Sequence, residues 1–539
     1  MNMIDQTKEL EQVLWNSADI MRATMPAEDY KNYLLGLVFY KFLSDKLLIK
    51  ASELLEEPTH DLNKAQALYV KNYNDDTLKQ DLVDVLKDEL SYILEPNLTY
   101  TSILQRIHGL QENSFQLEDL DAAFKEIERS DERLQGLFED FDVYSTKLGN
   151  TPAKRNQMIS SVIQELSAVN TIDYEGDPLG NAYEYLIGEF ASDSGKKAGE
   201  FYSPQSVSKI MTQIVFDGRK DQSGLSIYDP TMGSGSLMLN ARNYSNNPNT
   251  ITYFGQELTT STYNLARMNM ILHGVPLENQ FLNNGDTLDA DWPDTEPTNF
   301  DAVVMNPPYS ANWSADKGFL TDPRFGMYGV LAPKSKADFS FLLHGFYHLK
   351  DTGTMAIVLP HGVLFRGNAE GKIRQQLLED GAIDTIIGLP GGIFYNTSIP
   401  TTIIILKKKG REKRDVLFID ASKEYRKAKA QNFIDDTHIE KIVEAYKSRE
   451  DVDKFSYVAS FDEIKENDFN LNIPRYVDTF EEEEPIDLGL LSDDIVTLEY
   501  SIAENKKELL ASLDELVANN SDVQQQLDKT LSNLKSLWQ

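Results

Sequence analysis

The sequence predicts an α/β fold: a doubly wound, mainly parallel sheet, preceded by a helical region and followed by an amphipathic helical tail. Three observations predict it. From about residue 170 to 475, short apolar runs alternate with helical patterns, the runs falling at 225–228, 252–255, 302–305, 355–359, 385–388 and 401–406. Runs this short between helical stretches belong to strands of a sheet covered on both faces. Three successive strands close on an acidic residue or a tight glycine turn, and the fourth closes on Asn306-Pro307-Pro308-Tyr309. In open α/β sheets that carboxyl edge is where ligands bind.

Composition bounds the rest. The chain has 539 residues, 41% apolar and 10% aromatic, enough for about two to four domains with their own cores. Their expected limits are 1–165, 166–478 and 479–539. The longest apolar stretch near the N-terminus, residues 33–43, is too short to span a bilayer and is interrupted by Lys41. No secretory signal is read, so the expected compartment is the cytoplasm, with no membrane partner. The chain has no cysteine, which excludes disulfides, thiolate zinc sites and thiolate catalysis, including the usual covalent route to cytosine carbon-5 methylation. No metal site is assigned. The formal net charge of −34 repels polyanions, because nucleic-acid affinity comes largely from Lys and Arg neutralising phosphates. Either the chain avoids nucleic acid, or a basic groove or partner overcomes the repulsion. A solvated acidic surface fits the charge equally well.

Taken in order, residues 1–165 read as helical. Pro26 opens a first turn with Ala27, Glu28 and Asp29, and Tyr33, Leu34, Leu37, Val38 and Phe42 recur at helical spacing. Further amphipathic stretches cover 82–94 and 117–137. No catalytic constellation lies here, so a docking or lid domain is expected. Within the sheet region, Lys407, Lys408, Lys409, Arg411, Lys413 and Arg414 form a basic cluster between the 401–406 and 416–419 strands. A solvated hairpin is the first reading of it and phosphate contact the alternative. Residues 481–485 read as a linker. Beyond them Ile495, Leu498, Ile502, Leu509, Leu513, Leu516, Val523, Leu527, Leu531 and Leu534 trace the seam of a terminal amphipathic helix, with Asn505 and Asn520 on it. Such a helix has no core of its own and is expected to pack on a partner.

The candidate site is read from the strand ends. Asp229-Pro230-Thr231-Met232-Gly233-Ser234-Gly235-Ser236 follows the first strand, and Gly233 and Gly235 allow close backbone approach to a ligand. It is neither a dinucleotide fingerprint nor a Walker A loop; residues 367–373 lack that spacing too. Glu257 ends the second strand, where a carboxylate suits two ribose hydroxyls. Asp286 ends the third, where it suits an adenine amino group. Each acid alone is better explained as a helix N-cap; acids or tight glycine turns at three successive strand ends, followed by the 306–309 turn at the fourth, are not. At Asn306-Pro307-Pro308-Tyr309 the two prolines must stop the strand. The turn then offers two acceptors, the Asn306 side chain and the Pro307 carbonyl, beside the ring of Tyr309. That corner suits an exocyclic amino group on a planar base; the bland alternative is a rigid turn.

With these motifs the chain resembles the amino-methyltransferases that use S-adenosylmethionine, and specifically the modification subunit of type I restriction-modification systems. The resemblance covers nearly the whole chain. Gly199-Glu200-Phe201-Tyr202-Ser203-Pro204-Gln205, upstream of the glycine loop, corresponds to the segment that closes over the cofactor's methionine end in that family. Leu14-Trp15, residues 33–48 and residues 334–339 are similar as well. The resemblance implies a Rossmann-like methyltransferase domain acting on adenine N6 in double-stranded DNA. It implies cofactor contacts from Glu200 through Gln205, Asp229, Gly233, Ser234, Gly235, Ser236, Glu257 and Asp286. Catalysis would fall to Asn306, Pro307, Pro308 and Tyr309, with Phe394 a weaker candidate for the base's other face. It also implies a specificity subunit flanked by two modification subunits, and a separate restriction and translocation subunit. The alternatives are a protein or RNA amino-methyltransferase, N4-cytosine methylation, and a non-catalytic scaffold.

Overall fold

The computed structural model describes residues 3–22, 24–110, 114–171, 178–193, 203–394, 399–411, 413–428, 431–479 and 487–538. The long helix Ala27–Leu54 starts directly after Pro26, whose missing N–H leaves no orphan donor there. Leu34, Leu37 and Leu47 are fully buried on it. Lys41, which interrupts that apolar run, is buried too and pairs with Asp45 one turn on, at 2.5 Å. Thr171 donates to the same carboxylate at 2.6 Å, so the buried charges satisfy each other. The amphipathic stretches form helices Lys79–Leu90 and Leu117–Ser130. Leu265, Met268 and Leu272, from helix Thr260–Leu272 of the sheet region, complete the helical core. Helical and sheet regions therefore share one compact unit, Met1–Thr479.

Among the described residues the strands are β1 (Ser226–Asp229), β2 (Thr252–Glu257), β3 (Gln280–Asn284), β4 (Phe300–Met305), β5 (Leu349–Pro360), β6 (Ile383–Gly388), β7 (Thr401–Lys407), β8 (Val416–Asp420), β9 (Arg426–Lys427), β10 (Asn432–Phe433) and β11 (Ser456–Ala459). Nine of them form one sheet in the order β11-β8-β6-β7-β5-β4-β1-β2-β3; β9 and β10 make a separate ribbon. β1 pairs in parallel with β2 on one side and with β4 on the other. The strand order thus reverses between β1 and β4, and a crevice opens at their carboxyl ends. β7 runs antiparallel between β5 and β6, as does β11 against β8.

The reversed β7 decides where the basic cluster goes. Lys407, the last residue of β7, registers with Thr354 of β5, while Thr401 at its start registers with Pro360 at the end of β5, so the segment after β7 leaves from the amino edge, away from the crevice. There Lys409 pairs with Asp351 at 2.6 Å, Arg411 with Asp384 at 3.1 Å, and Lys408 donates to the Tyr347 carbonyl at 2.7 Å. The expected hairpin is instead a connection that passes β6, which stands between β7 and β8, and its Lys408, Lys409 and Arg411 are engaged by the protein's own acceptors.

Residues Phe480–Gln539 form a second unit. The expected single terminal helix is two, Leu488–Asp514 and Ser521–Trp538. Asn520 is a cap between them: its side chain accepts from the Val523 N–H at 2.9 Å. Lys535 and Asp514 pair across the hairpin at 2.7 Å, while Ile495, Leu498 and Leu509 remain exposed. The linker expected at 481–485 lies outside the described residues.

Candidate active site

Met305 is the last residue of β4 paired with β5; after it the prolines carry the chain off the sheet. Asn306 is 5% exposed and held at both ends. Its Nδ2 donates to Ser203 Oγ at 3.1 Å, and its Oδ1 accepts the Tyr309 hydroxyl at 2.8 Å. In this orientation Oδ1 has one further lone pair. Burial, then the Asp338 carboxylate, raises the Tyr309 hydroxyl well above its ordinary pKa, so it stays a donor. Its ring meets Phe394 edge-on, with centroids 6.0 Å apart at 82°. Ser310 turns the chain with φ +51, a strained value for a residue with a Cβ. Asp338 holds that turn: one oxygen accepts the Ser310 N–H at 2.8 Å and the other accepts Arg366 at 2.7 Å.

Across the crevice, Gly233 and Gly235 have φ of +54 and +80, the left-handed region that glycine reaches without strain. The loop they form is tied to β2. The Met232 N–H donates to the Gln256 carbonyl at 3.0 Å, and the Gly233 N–H to Glu257 Oε2 at 3.2 Å. Glu257 Oε1 accepts from the Thr259 N–H at 2.8 Å. Burial raises the Glu257 pKa, and the Thr259 and Gly233 N–H groups oppose it. Asp229 is deeper. Burial pushes it up to about 8 against its bonds from Thr231, and Glu257 pushes the same way. Ser234 and Ser236 are buried with their hydroxyls 2.8 Å apart. Asp286 is exposed, and its Oδ1 accepts from the Leu288 N–H at 2.9 Å, the bond of a turn cap. Next to it Thr287 donates to the Pro230 carbonyl, tying the third strand's loop to the glycine loop.

Glu200, Phe201 and Tyr202 lie outside the described residues. Ser203 and Pro204 are buried, and Pro204 leads into helix Gln205–Val215. Both ends of the Gln205 amide are engaged within the protein: Nε2 donates to Glu184 Oε2, and Oε1 accepts Asn240 Nδ2 at 3.0 Å. Glu184 Oε1 accepts Asn269 Nδ2 at 3.0 Å, and the same amide donates to the Ser234 carbonyl at 3.0 Å. Glu184, Asn240, Asn269, Asp338 and Arg366 were not foreseen from the sequence. One signal was available for Glu184, an acid set within the largely apolar stretch 179–190.

One trio of possible metal ligands occurs among the described residues, Asp291, His344 and His348. Its ring nitrogens are all hydrogen-bonded. Arg324 approaches His344 Nδ1 at 3.1 Å and the Tyr228 hydroxyl approaches Nε2 at 2.8 Å. A guanidinium only donates, so Nδ1 is the acceptor and Nε2 carries the proton. His348 contacts the Thr298 carbonyl at 2.6 Å and Asp291 at 2.9 Å. The trio is a packed polar network.

The carboxyl ends of adjacent strands thus carry an acceptor amide with an aromatic pair and a glycine loop tied to an acid, a set of groups whose chemistry suits polar, planar ligands. Comparison with known proteins gives that chemistry a lineage. The family described as N-6 DNA methylase matches residues 174–485, and the HsdM N-terminal domain matches residues 10–166. The type I restriction enzyme MpnII methylase subunit of Mycoplasma pneumoniae is 33% identical, over 95% of this chain and 96% of its own length. The MjaVIII methylase subunit of Methanocaldococcus jannaschii is 33% identical, over 94% of this chain and 84% of its own. The crystal structure of a type I restriction-modification methyltransferase subunit from Streptococcus thermophilus is 65% identical, with a TM-score of 0.86, covering 88% of this chain and 100% of that one. With its site on the strand order of a methyltransferase and its relatives alike over nearly their whole length, the chain belongs to the N-6 adenine DNA methylases, among the modification subunits of type I restriction-modification systems.

Proposed function

We propose that Asn306, Pro307, Pro308 and Tyr309 present the target adenine, while the glycine loop and its acids hold S-adenosylmethionine. The observation that carries this is the amide of Asn306, fixed between Ser203 and Tyr309 at the β1–β4 reversal, with the loop after β1 carrying Gly233 bonded to Glu257. The residues fit the cofactor. Glu257 offers a carboxylate at its strand end for two ribose hydroxyls, and Asp286 stands at the next strand end for the adenine amino group. Asp229, Gly233, Ser234, Gly235 and Ser236 form the cradle. Ser203, Pro204 and Gln205 continue the segment that begins at Glu200, Phe201 and Tyr202. Bound S-adenosylmethionine supplies an electrophilic methyl group on a sulfonium.

The chain's own task is to make adenine N6 nucleophilic. Its lone pair is delocalised into the ring. Asn306 Oδ1 and the Pro307 carbonyl accept its two N–H bonds, which favours a pyramidal nitrogen with the lone pair freed. In-line placement then lowers the barrier without a covalent enzyme intermediate. Tyr309, with Phe394 across from it, takes the extruded base; stacking offsets an unstacking cost of a few kcal/mol.

In this reading the acidic chain meets double-stranded DNA together with a specificity subunit that chooses the target. Two modification subunits flank it, a separate subunit restricts and translocates, and the setting is the cytoplasm. The exposed apolar seam of residues 488–538 is the docking element for the specificity subunit. Labelled S-adenosylmethionine and genomic DNA, with and without that subunit, test this. Label recovered as N6-methyladenine only with the partner is expected; label in protein or RNA would overturn the reading.

A further inference from the structure

A chain with a net charge of −34 needs some cationic surface where DNA meets it, and the cluster at 407–414 is at the wrong edge of the sheet. The β9–β10 ribbon is at the right one. β8 runs parallel to β6 and its last residue, Asp420, registers with Gly388, so the segments that follow both strands leave from the carboxyl edge. The ribbon has two residues in each strand, too few to hold itself together. It is latched instead to the segment after β6. The Asn432 N–H donates to the Gly392 carbonyl at 2.9 Å, Asn432 Nδ2 to the Gly391 carbonyl at 2.8 Å, and Gln431 Nε2 to the Ile393 carbonyl at 2.5 Å. The next residue in that segment is Phe394, which faces Tyr309. The ribbon is therefore fixed to the strand end that lines the proposed base pocket.

Its exposed side chains have the character of a nucleic-acid surface. Arg426 lies over the Phe433 ring at 5.2 Å, and Phe433 is 44% exposed. The nearby acids are already matched: Asp435 by Arg426 at 3.0 Å, Asp436 by Lys209 at 2.8 Å and Glu424 by Lys441 at 2.5 Å. Lys427 is exposed, its backbone pairs with Asn432, and its side chain forms no hydrogen bond or ion pair among the described residues. A free lysine beside an arginine-capped aromatic ring suits a phosphate backbone flanked by a base face.

We infer that the β9–β10 ribbon is a DNA contact of this subunit, with Lys427 on a backbone phosphate beside the extruded adenine and Phe433, capped by Arg426, against the neighbouring nucleotide. This rests on the proposed presentation of adenine at Asn306. The test uses the assembled complex of this chain with its specificity subunit, and measures duplex affinity across a range of salt concentrations. Lys427→Ala and Lys427→Glu are the primary variants, because the Lys427 side chain has no partner among the described residues to lose. Lys409→Glu, at the opposite edge, controls for the general field of the chain. Each lost phosphate contact makes the slope of log affinity against log salt shallower by about 0.9. Lys427→Ala is expected to show that change and several-fold weaker binding at low salt, Lys427→Glu a larger loss, and Lys409→Glu neither; affinity for S-adenosylmethionine stays at the wild-type value. Wild-type affinity and slope in both Lys427 variants would overturn the inference, as would an equal effect from Lys409→Glu. N6-methyladenine formation by the wild-type complex in the same preparation separates failure of the ribbon from failure of the adenine reading.

Discussion

Beneath β1 and β4, both nitrogens of His344 and of His348 are hydrogen-bonded within the protein, and Arg324 divides its donors among Asp322, Thr287 and His344. At the carboxyl edge Asn306 is held as firmly, between Ser203 and Tyr309, yet its Oδ1 accepts a single hydrogen bond. Both regions are buried and polar. The first has closed its hydrogen bonds and acts as packing; in the second an amide is fixed by its neighbours with an acceptor lone pair to spare. Preorganised acceptors of this kind do not reorganise at the moment of reaction.

The largest effects should separate the two regions. Asp338→Ala strips the Ser310 turn and leaves Arg366 with less of its pairing, so a loss of about 3–5 kcal/mol is expected in denaturant unfolding, with methyl transfer falling further than the residual folded fraction explains. Arg324→Ala should also destabilise strongly, by leaving His344 and the Thr287 carbonyl unpaired, while methyl transfer per folded molecule stays near wild type. Equal activity loss per folded molecule in both would erase the distinction.

A smaller effect concerns pH. Asp229 sits at about 8 in the fold against an ordinary 3.8. Between those values the folded chain keeps a proton that the unfolded chain has released, so this group's stabilisation is lost as pH rises through that window. Asp229→Asn should therefore flatten the fall in unfolding midpoint between about pH 5.5 and 8.5 relative to wild type; parallel profiles would show that Asp229 is ionised throughout.

The Glu184–Gln205 bond offers a sharper test of fixed loops. Glu184→Gln sets two amide donors against each other, and an approximately tenfold weaker S-adenosylmethionine affinity is expected. Glu184→Gln with Gln205→Glu restores donor to acceptor throughout, from Asn269 to Asn240, and should recover most of that affinity. No recovery would mean that Gln205 acts on the cofactor directly. Smallest of all, Tyr309→Phe removes one hydroxyl from Asn306 and should cost about 1 kcal/mol in kcat/KM, whereas the ring itself remains to stack.

Much of this was legible beforehand because it is local. Apolar runs named β1, β2 and β4 to β8 within a few residues, and two prolines at 307–308 announced the site. What was missed is non-local or too short. The ribbon's two-residue strands carry no period to read. β11 shows itself only by pairing with β8. Asn520 read as a flaw in one seam because capping is a property of a break, and the break is in the backbone. Glu184 meets Gln205 and Asn269 at separations of 21 and 85 residues, which only the fold brings together.

The central claim is that Asn306 acts on the reacting nitrogen and not on binding. Single-turnover methyl transfer by Asn306→Ala in the assembled complex, with S-adenosylmethionine and duplex affinities measured on the same preparation, tests it directly. The account predicts a rate reduced by about 10²–10³-fold or more with both affinities within a few-fold of wild type. A rate close to wild type, or a loss that follows weakened cofactor binding, would contradict it.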